Sequence, residues 1–343
     1  MLTTFKPAPQ AARVSADGDG FLVAWSEVDQ DGIAHGYAGR MNAAGQLTTI
    51  GVRTSGVADA PAVARFGDRY IAAWLEPEPD GRPMLVTGAL DRDFKVVAAR
   101  PIGLTSGPPI VRATETRAYV GSGNFLYEVD RDAAPVTVYD LPQPIDDLTV
   151  MGNDVGYVHH DTAVTAFPCI LGCGHYPIIP KPPVPRYYLT FTRLYWLTTT
   201  ASLIFDSRAP SAVASGGDEF LVVFADSAML SIKGAIVGST IEPFLISPKG
   251  QRRFDAQTQP QAAWDGTRWV AVWDSGLGIE GAVIAPDHNV TPFNISAEGA
   301  RPSIAASKPG RFLITYETTS AGRKLVSRLI DFTSPNQRER VIR

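Results

Sequence analysis

The 343-residue chain has a small net charge, only two cysteines and five histidines, and no long apolar run. A net charge of −4 gives no general attraction for phosphate backbones or anionic lipids, so we expect no nucleic-acid partner. No segment approaches the roughly 18 uncharged apolar residues needed to cross a bilayer, so we expect no membrane insertion. Residues Met1 to Gln10 lack the apolar core of a signal peptide. Because the chain opens in the middle of what reads as a repeat, this absence says little about compartment.

Signatures of several enzyme classes are also missing. The chain contains no phosphate-binding loop and no Gly-x-Ser-x-Gly nucleophile elbow. We therefore predict no cofactor. What the chain does contain is 31 glycines, 27 prolines and 45% hydrophobic residues, a composition typical of an all-β protein with many turns.

A five-residue apolar phrase bounded by aromatic residues recurs along the chain. Its closing aromatics Trp25 and Trp74 are 49 residues apart, as are Phe224 and Trp273. This period is in the range of β-propeller blades. The five clear copies of the phrase are Phe21–Trp25, Tyr70–Trp74, Phe220–Phe224, Trp269–Trp273 and Phe312–Tyr316.

Each clear unit reads as four short strands separated by Gly/Asp turns and polar loops. The third and fourth units are weaker, with Ala118–Ser122 and Gly156–His160 where the aromatic strand should be. We predict one all-β domain over residues 1–343, a seven-bladed β-propeller with four-stranded antiparallel blades. The units begin near Ala11, Ala60, Pro109, Ile145, Pro210, Pro260 and Pro302.

Ring closure requires a fourth strand for the last blade, since an open sheet edge invites association with other chains. Leu2–Phe5 resembles Leu47–Ile50, the fourth strand of the first unit. We predict that this N-terminal strand closes the ring. The rival candidate is Arg338–Arg343, which we interpret as part of a solvated tail over residues 333–343, because Ser334, Pro335 and Asn336 break the chain before it.

The units resemble a bacterial repeat family whose blades read P-x-V-A…G…(F/Y)-L-V-x-W…G. Here the first part of that motif is Pro61-Ala62-Val63-Ala64 in the second unit and Pro210-Ser211-Ala212-Val213-Ala214 in the fifth. The likeness covers five units and fails in the third and fourth. It implies a β-propeller, often part of a larger secreted or surface protein, and identifies packing rather than a reaction.

A carboxylate follows the aromatic strand in five units. In a propeller, the loop leaving the second strand lies on the same face as the links between blades, so these side chains could ring the mouth of a central channel. We interpret them first as a solvated rim that caps turns. The alternative is a catalytic pair for glycosidic chemistry, which needs two carboxyl groups about 5 to 9 Å apart. The five residues are Glu27, Glu76, Asp226, Asp274 and Glu317.

The fourth unit carries an insertion of about residues 167–196 that the repeat does not explain. Long loops in compact domains are usually functional or mobile, so we predict that this segment binds a partner. Both cysteines lie in it, and we favour a disulfide between Cys169 and Cys173 over free thiols or a metal site, because structural zinc needs two close ligand pairs. The predicted binding residues are Cys169, Cys173, His175, Tyr176, Tyr187, Tyr188 and Trp196.

These observations predict a binding or interaction module for a protein or glycan ligand. We expect a monomer in an extracellular or periplasmic location. The alternative function is a carbohydrate-active hydrolase or lyase that uses the five carboxylates. We predict no resident metal, although thiolate and imidazole ligands in the insertion would suit zinc or copper.

Overall fold

The computed structural model describes most of the chain. The described residues are 10–28, 31, 33–51, 59–105, 107–141, 143–151, 154–165, 187–196, 202–206, 210–226, 231–237, 243–247, 260–318, 324–332 and 340–342. Within these ranges the chain forms strands and no helix, so no helix there could cross a bilayer. The prediction of an all-β protein is confirmed.

The described strands form seven antiparallel sheets, and each sheet consists of four strands that follow one another in sequence. Sheet 1 contains β1 (Gln10–Asp17), β2 (Gly20–Val28), β3 (Ala34–Met41) and β4 (Leu47–Gly51). Sheet 2 contains β5 (Asp59–Phe66), β6 (Arg69–Pro77), β7 (Pro83–Leu90) and β8 (Val96–Leu104). Sheet 3 contains β9 (Ile110–Ala113), β10 (Ala118–Ser122), β11 (Phe125–Val129) and β12 (Pro135–Asp140).

The remaining four sheets repeat this order. Sheet 4 contains β13 (Asp147–Met151), β14 (Asp154–Thr165), β15 (Tyr187–Trp196) and β16 (Ser202–Asp206). Sheet 5 contains β17 (Ala212–Gly216), β18 (Glu219–Ala225), β19 (Ile232–Val237) and β20 (Phe244–Leu245). Sheet 6 contains β21 (Gln261–Trp264), β22 (Trp269–Asp274), β23 (Ile279–Ile284) and β24 (Val290–Ser296). Sheet 7 contains β25 (Ala300–Lys308), β26 (Arg311–Thr318), β27 (Lys324–Asp331) and β28 (Arg340–Ile342).

Because consecutive strands are antiparallel, each sheet has two distinct ends. The turns between its first and second strands and between its third and fourth strands lie at one end, which we call the turn end. The loop between the second and third strands lies at the other, which we call the loop end.

Neighbouring sheets pack through buried apolar side chains. Among the described residues there are seven buried clusters, one for each pair of sheets that are consecutive in sequence and one for sheets 7 and 1. The first strand of each sheet contacts the first strand of the next, and β25 contacts β1. Sheets 7 and 1 also share the hydrogen bond from Val14 N to Ser303 Oγ, at 3.2 Å.

The aromatic residues that close the repeated phrase are buried in these clusters, as the repeat predicts. Burial of one such side chain removes about 150 to 250 Å² from water, which stabilises the fold by roughly 4 to 6 kcal/mol as an upper bound. These residues are Trp25, Trp74, Phe224, Trp273 and Tyr316.

The outer edge of sheet 7 differs from the prediction. β28 pairs antiparallel with β27, with Ile342 opposite Ser327. It takes the position that we assigned to Leu2–Phe5, so the assignment of this edge to the N-terminal strand is wrong. Residues 1–9 and 333–339 lie outside the described residues. The physical reason is that the chain after β27 turns back on its own sheet as in the other six sheets, and a local connection closes a shorter loop than a strand from the opposite terminus.

Candidate functional site

Two of the predicted carboxylates accept hydrogen bonds from tryptophan side chains of their own sheets. The indole Nε1–H of Trp25 donates to Glu27 Oε1 at 2.8 Å. In the next sheet, Trp74 donates to Glu76 Oε1 at 2.7 Å. In both cases the acceptor stands two residues after the donor in the same strand, so the two side chains lie on one face of the sheet. These carboxylates therefore satisfy the polar atom of a buried aromatic ring.

The other three carboxylates also contact donors of their own sheets. Asp226 accepts from Ser231 Oγ at 2.7 Å, with Lys233 Nζ at 3.9 Å. Asp274 Oδ1 accepts from the backbone N–H of Gly276 at 2.8 Å, which caps the turn. The buried Glu317 is 3.5 Å from Arg301 Nη1.

The Glu27 carboxyl has a perturbed acidity. Burial raises its pKa above the usual 4.5, while the Trp25 hydrogen bond and the charge of His35 act in the opposite direction. A raised carboxyl pKa is what a general acid requires, but a structural carboxyl in an apolar setting has it as well. The acidity of Glu27 therefore does not distinguish the rim interpretation from the catalytic one.

The predicted binding segment falls largely outside the described residues. Cys169, Cys173, His175 and Tyr176, and with them the predicted disulfide, lie in the range 166–186 that is not described. The second part of the predicted insertion, residues 187–196, forms β15, the third strand of sheet 4. The backbones of Tyr187, Tyr188 and Trp196 belong to this strand, and their side chains are outside the description.

The backbone of sheet 4 extends past its own outer strands at the loop end. β13 pairs with β14 only up to Val158, and β16 pairs with β15 only from Phe191 onward. Beyond these points β14 and β15 continue as a two-stranded ribbon from the pair Thr162–Thr190 to the pair Thr165–Tyr187. We call residues 162–165 and 187–190 the sheet 4 arm. The arm ends at Thr165 and Tyr187, the residues that precede and follow residues 166–186 in the chain.

Sequence reasoning missed a charged cluster on the first strands of three sheets. Asp147 in β13 is buried, and its Oδ1 accepts from Arg112 Nη2 of β9 at 3.0 Å. Its Oδ2 accepts from the backbone N–H of Val213 of β17 at 3.1 Å. One carboxylate thus connects sheets 3, 4 and 5.

The pKa values of Asp147 and of a neighbouring arginine, Arg13 in β1, are both shifted. Burial raises the pKa of Asp147, against the opposing effect of the Arg112 charge and two backbone N–H donors. The same charges act on Arg13 in β1. Burial and repulsion from Arg112 lower the pKa of Arg13 to about 10, and attraction to Asp147 offsets only part of this decrease. The signal available in the sequence was a charged residue within or at the start of a short apolar first strand.

A metal centre is not assembled by the described residues, in which no three histidine, cysteine, aspartate or glutamate side chains are grouped as ligands. The cysteines and His175, which would form the predicted alternative site, lie outside them.

Comparisons with solved structures identify the architecture. The chain is similar to the β-propeller domain of the Trilobed protease from Pyrococcus furiosus, with a TM-score of 0.57 and 11% identity, covering 96% of this chain and 100% of that one. It is also similar to the WD40 domain of Neurospora crassa Pan2, with a TM-score of 0.51 and 10% identity over 97% and 90% of the two chains.

The fold is a β-propeller. A third similar structure is the acylaminoacyl peptidase of Pyrococcus horikoshii, with a TM-score of 0.55 and 10% identity over 97% of this chain, which spans only 52% of the peptidase. At such low identity these likenesses concern the fold alone. No protein-family model and no curated protein matches the sequence.

Proposed function

We propose that this β-propeller is an interaction module that holds a protein or glycan partner at the loop end, through the sheet 4 arm and the segment it carries. The observation behind the proposal is the four-pair ribbon from Thr162–Thr190 to Thr165–Tyr187, which pairs with no third strand within the described part of the chain. An isolated two-stranded ribbon is marginal in water, so a propeller gains little stability from extending one. Binding of a partner would explain why the ribbon is present although it adds little stability.

We infer further that the seven sheets are the blades of one closed ring. Support comes from the seven clusters between neighbouring sheets and from the contact of β25 with β1. In this account sheets 7 and 1 close the ring by packing, because every sheet is built from one continuous stretch of chain. The Pyrococcus furiosus neighbour is described as having an open velcro topology, which is compatible with such closure.

The local roles of the predicted acids favour the interaction module over an enzyme. Glu27 and Glu76 are engaged with indole donors, and Glu317 with an arginine. A catalytic pair needs one carboxyl that releases a proton and one that accepts it or attacks, both open to the substrate. These contacts instead match the capping and packing roles of a structural rim.

The segment that the arm carries, residues 166–186, can be removed with little disturbance to sheet 4. Thr165 and Tyr187 are directly paired, so an Asn-Gly turn placed between them in exchange for residues 166–186 gives an ordinary two-residue hairpin. The matched control replaces residues 78–82 with Asn-Gly between the paired Pro77 and Pro83, at the loop end of sheet 2. Partner capture from extracts of the native host is then compared by quantitative mass spectrometry.

We expect proteins or glycans retained by the parent chain and by the sheet 2 control to be lost from the variant that lacks residues 166–186. Equal capture by all three proteins would contradict the proposal. Circular dichroism of each variant checks that the sheets remain intact.

The alternative, a carbohydrate-active hydrolase or lyase, is compatible with the raised pKa of Glu27, which a structural rim explains equally well. A screen of glycan substrates tests it. Turnover that is lost in the Glu27→Gln and Glu76→Gln variants would establish the enzyme, and no turnover across the screen would remove it.

A further inference from the structure

An open cleft lies at the turn end between sheets 1 and 2, opposite to the arm and the five acids. Two cavities of about 620 and 270 Å³ meet there and share Asp17, Arg40 and Arg65 in their walls. These volumes are comparable with small-molecule sites, which occupy about 300 to 1,000 Å³. The smaller lobe is also lined by Asp68, Tyr70 and Arg92.

Arg40 forms the fixed floor of the cleft. Its Nε donates to the buried Asp17 Oδ2 at 2.7 Å, and its Nη2 donates to the Tyr70 hydroxyl. The guanidinium lies over the rings of Tyr70 and Phe94, 5.5 and 5.8 Å from their centroids. Asp17 neutralises Arg40, and the two aromatic rings, which stack at 4.7 Å, hold the guanidinium plane in place.

Arg65 brings a second positive charge that is poorly compensated. Its Nε donates to the carbonyl of Gly67 at 3.0 Å, which fixes the direction of the side chain. The nearest carboxylate oxygens belong to the exposed Glu115, at 3.6 Å, and to Asp17, at 4.0 Å. Both distances are longer than hydrogen bonds, so the η nitrogens keep capacity for a ligand.

Arg92 supplies a third positive charge from a rigid turn. Its exposed side chain has no hydrogen bond or ion pair with the described residues. Its backbone is held on both sides: Asp91 Oδ1 accepts from the N–H groups of Asp93 and Lys95, both at 2.9 Å, and Phe94 is fully buried. The guanidinium is therefore presented at the wall of the smaller lobe by a turn that is already ordered.

The charges of the smaller lobe do not cancel. Its walls contain three arginines and the carboxylates of Asp17 and Asp68. Asp17 forms an ion pair with Arg40. Asp68 lies 3.7 Å from Arg131, an arginine that does not line the lobe, so its charge is compensated from outside. Arg65 has only the longer ion pairs with Asp17 and Glu115, and Arg92 has none with the described residues, so both guanidinium groups keep donors for a ligand.

We propose that this cleft binds a phosphate or sulfate group through Arg65 and Arg92, with Arg40 as a fixed third donor. Guanidinium groups bind tetrahedral oxyanions by paired charge-assisted hydrogen bonds, which suits a site with several arginines from different turns. The larger lobe, lined by the turn residues 17–20 and 41–44, leaves room for the body of a molecule that carries the group. The site does not depend on the interaction proposed for the arm.

Isothermal titration calorimetry with inorganic phosphate, inorganic sulfate and glucose 6-phosphate tests the proposal, at constant ionic strength held with sodium chloride. We expect saturable binding of phosphate or sulfate to the parent protein. Tighter binding of glucose 6-phosphate than of inorganic phosphate would place a ligand body in the larger lobe, and equal binding would assign the site to the free anion. Both results support an oxyanion site.

Arg65→Ala and Arg92→Ala should each weaken binding about tenfold, as the loss of a charge-assisted hydrogen bond requires. Arg82→Ala is the matched control, since it removes an exposed arginine from the loop end of sheet 2 and lowers the net charge equally. It should bind as the parent does.

Both cleft arginines are partly or fully exposed, so the variants should fold, and circular dichroism verifies this. The absence of saturable binding, or the same loss in Arg82→Ala as in Arg92→Ala, would overturn the proposal.

Discussion

Trp25 and Trp74 are buried, and the indole N–H of each donates a hydrogen bond to a glutamate two residues further along the strand. Each indole N–H reaches its carboxylate at a normal hydrogen-bond distance. Trp273 has Ser275 at the corresponding position, and its Nε1 has no hydrogen-bond partner among the described residues. Among the described residues, a carboxylate thus satisfies the buried indole donor of Trp25 and of Trp74 in sheets 1 and 2, whereas Trp273 in sheet 6 has no such acceptor.

The raised pKa of Glu27 predicts a specific pH dependence of stability. A carboxyl group whose folded pKa lies above its ordinary 4.5 favours the fold while it is protonated, so its contribution is present at low pH and is lost as pH rises through the folded pKa. Glu27→Gln keeps an acceptor for Trp25 but cannot ionise. We expect the free energy of unfolding of this variant to gain on that of the parent between acid and neutral pH, measured by urea denaturation. A difference that is constant with pH would refute the assignment.

Asp147 in sheet 4 accepts hydrogen bonds from residues of sheets 3 and 5 and so connects three sheets. Its two oxygens accept from Arg112 and from the backbone N–H groups of Leu148 and Val213. Asp147→Ala should lower the free energy of unfolding by about 2 to 3 kcal/mol, because it leaves these donors without an acceptor in a buried place.

The control for this change is Asp140→Ala, at the exposed end of β12. It should alter the free energy of unfolding by no more than about 0.5 kcal/mol. Guanidinium chloride denaturation measures both. Equal effects of the two substitutions would mean that Asp147 does not join the sheets as described.

At the scale of the elements, the hairpin between β17 and β18 shows how the turn end is built. Gly217 has a φ of +63°, and a Cβ added there would meet nothing within 4 Å. Substitution would therefore cost only backbone strain. The turns of sheets 1, 2, 6 and 7 use the same residue type with positive φ, at Gly18, Gly67, Gly266 and Gly310.

Gly217→Ala should lower the free energy of unfolding by about 1 kcal/mol, the penalty of a left-handed conformation for a residue with a Cβ. Gly217→Asn should cost less, since asparagine tolerates this region. Both are measured by thermal or urea unfolding. A neutral Gly217→Ala variant would show that the turn adopts another conformation.

The elements that could be predicted from the sequence are those with a repeated physical cause. Five units were recognisable because the same buried aromatic recurs in each, and even the weaker units follow the prediction, with Ala118–Ser122 forming β10 and Gly156–His160 lying in β14. The arm could not be predicted in the same way. Its pairs, such as Thr162 with Thr190, join segments on either side of a long insertion, and no local pattern marks which residues pair.

Candidate sites were predicted less well than strands, for a physical reason. Glu27 and Glu76 were identified among five acids that follow the aromatic strands, but whether a carboxylate reacts or accepts a structural hydrogen bond depends on its neighbours in space. Arg65 near the end of β5 and Arg92 in the turn after β7 belong to the same sheet but are well separated in sequence, and only the fold brings them to one cleft.

At the scale of the whole molecule, closure of the proposed ring depends on the junction between the first and last sheets. Ala12, Val14 and Trp25 share a buried cluster with Ala305 and Leu313. The sequence suggested instead that an N-terminal strand completes the last sheet, because Leu2–Phe5 is similar to β4. Similarity among short outer strands does not specify a partner, since such strands expose most of their side chains and contribute little to packing.

Disulfide trapping of this junction tests the central claim most directly. The Val14→Cys and Ser303→Cys substitutions, in a chain whose Cys169 and Cys173 are replaced by serine, bring two thiols to positions where the backbone N–H of one residue contacts the side chain of the other. The control pairs Val14→Cys with Thr149→Cys in sheet 4. After mild oxidation of dilute protein, peptide mapping should find an intrachain disulfide between positions 14 and 303 and none in the control. Failure of the first pair to cross-link within one chain, or equal cross-linking of both pairs, would contradict a ring closed by the packing of sheet 1 on sheet 7.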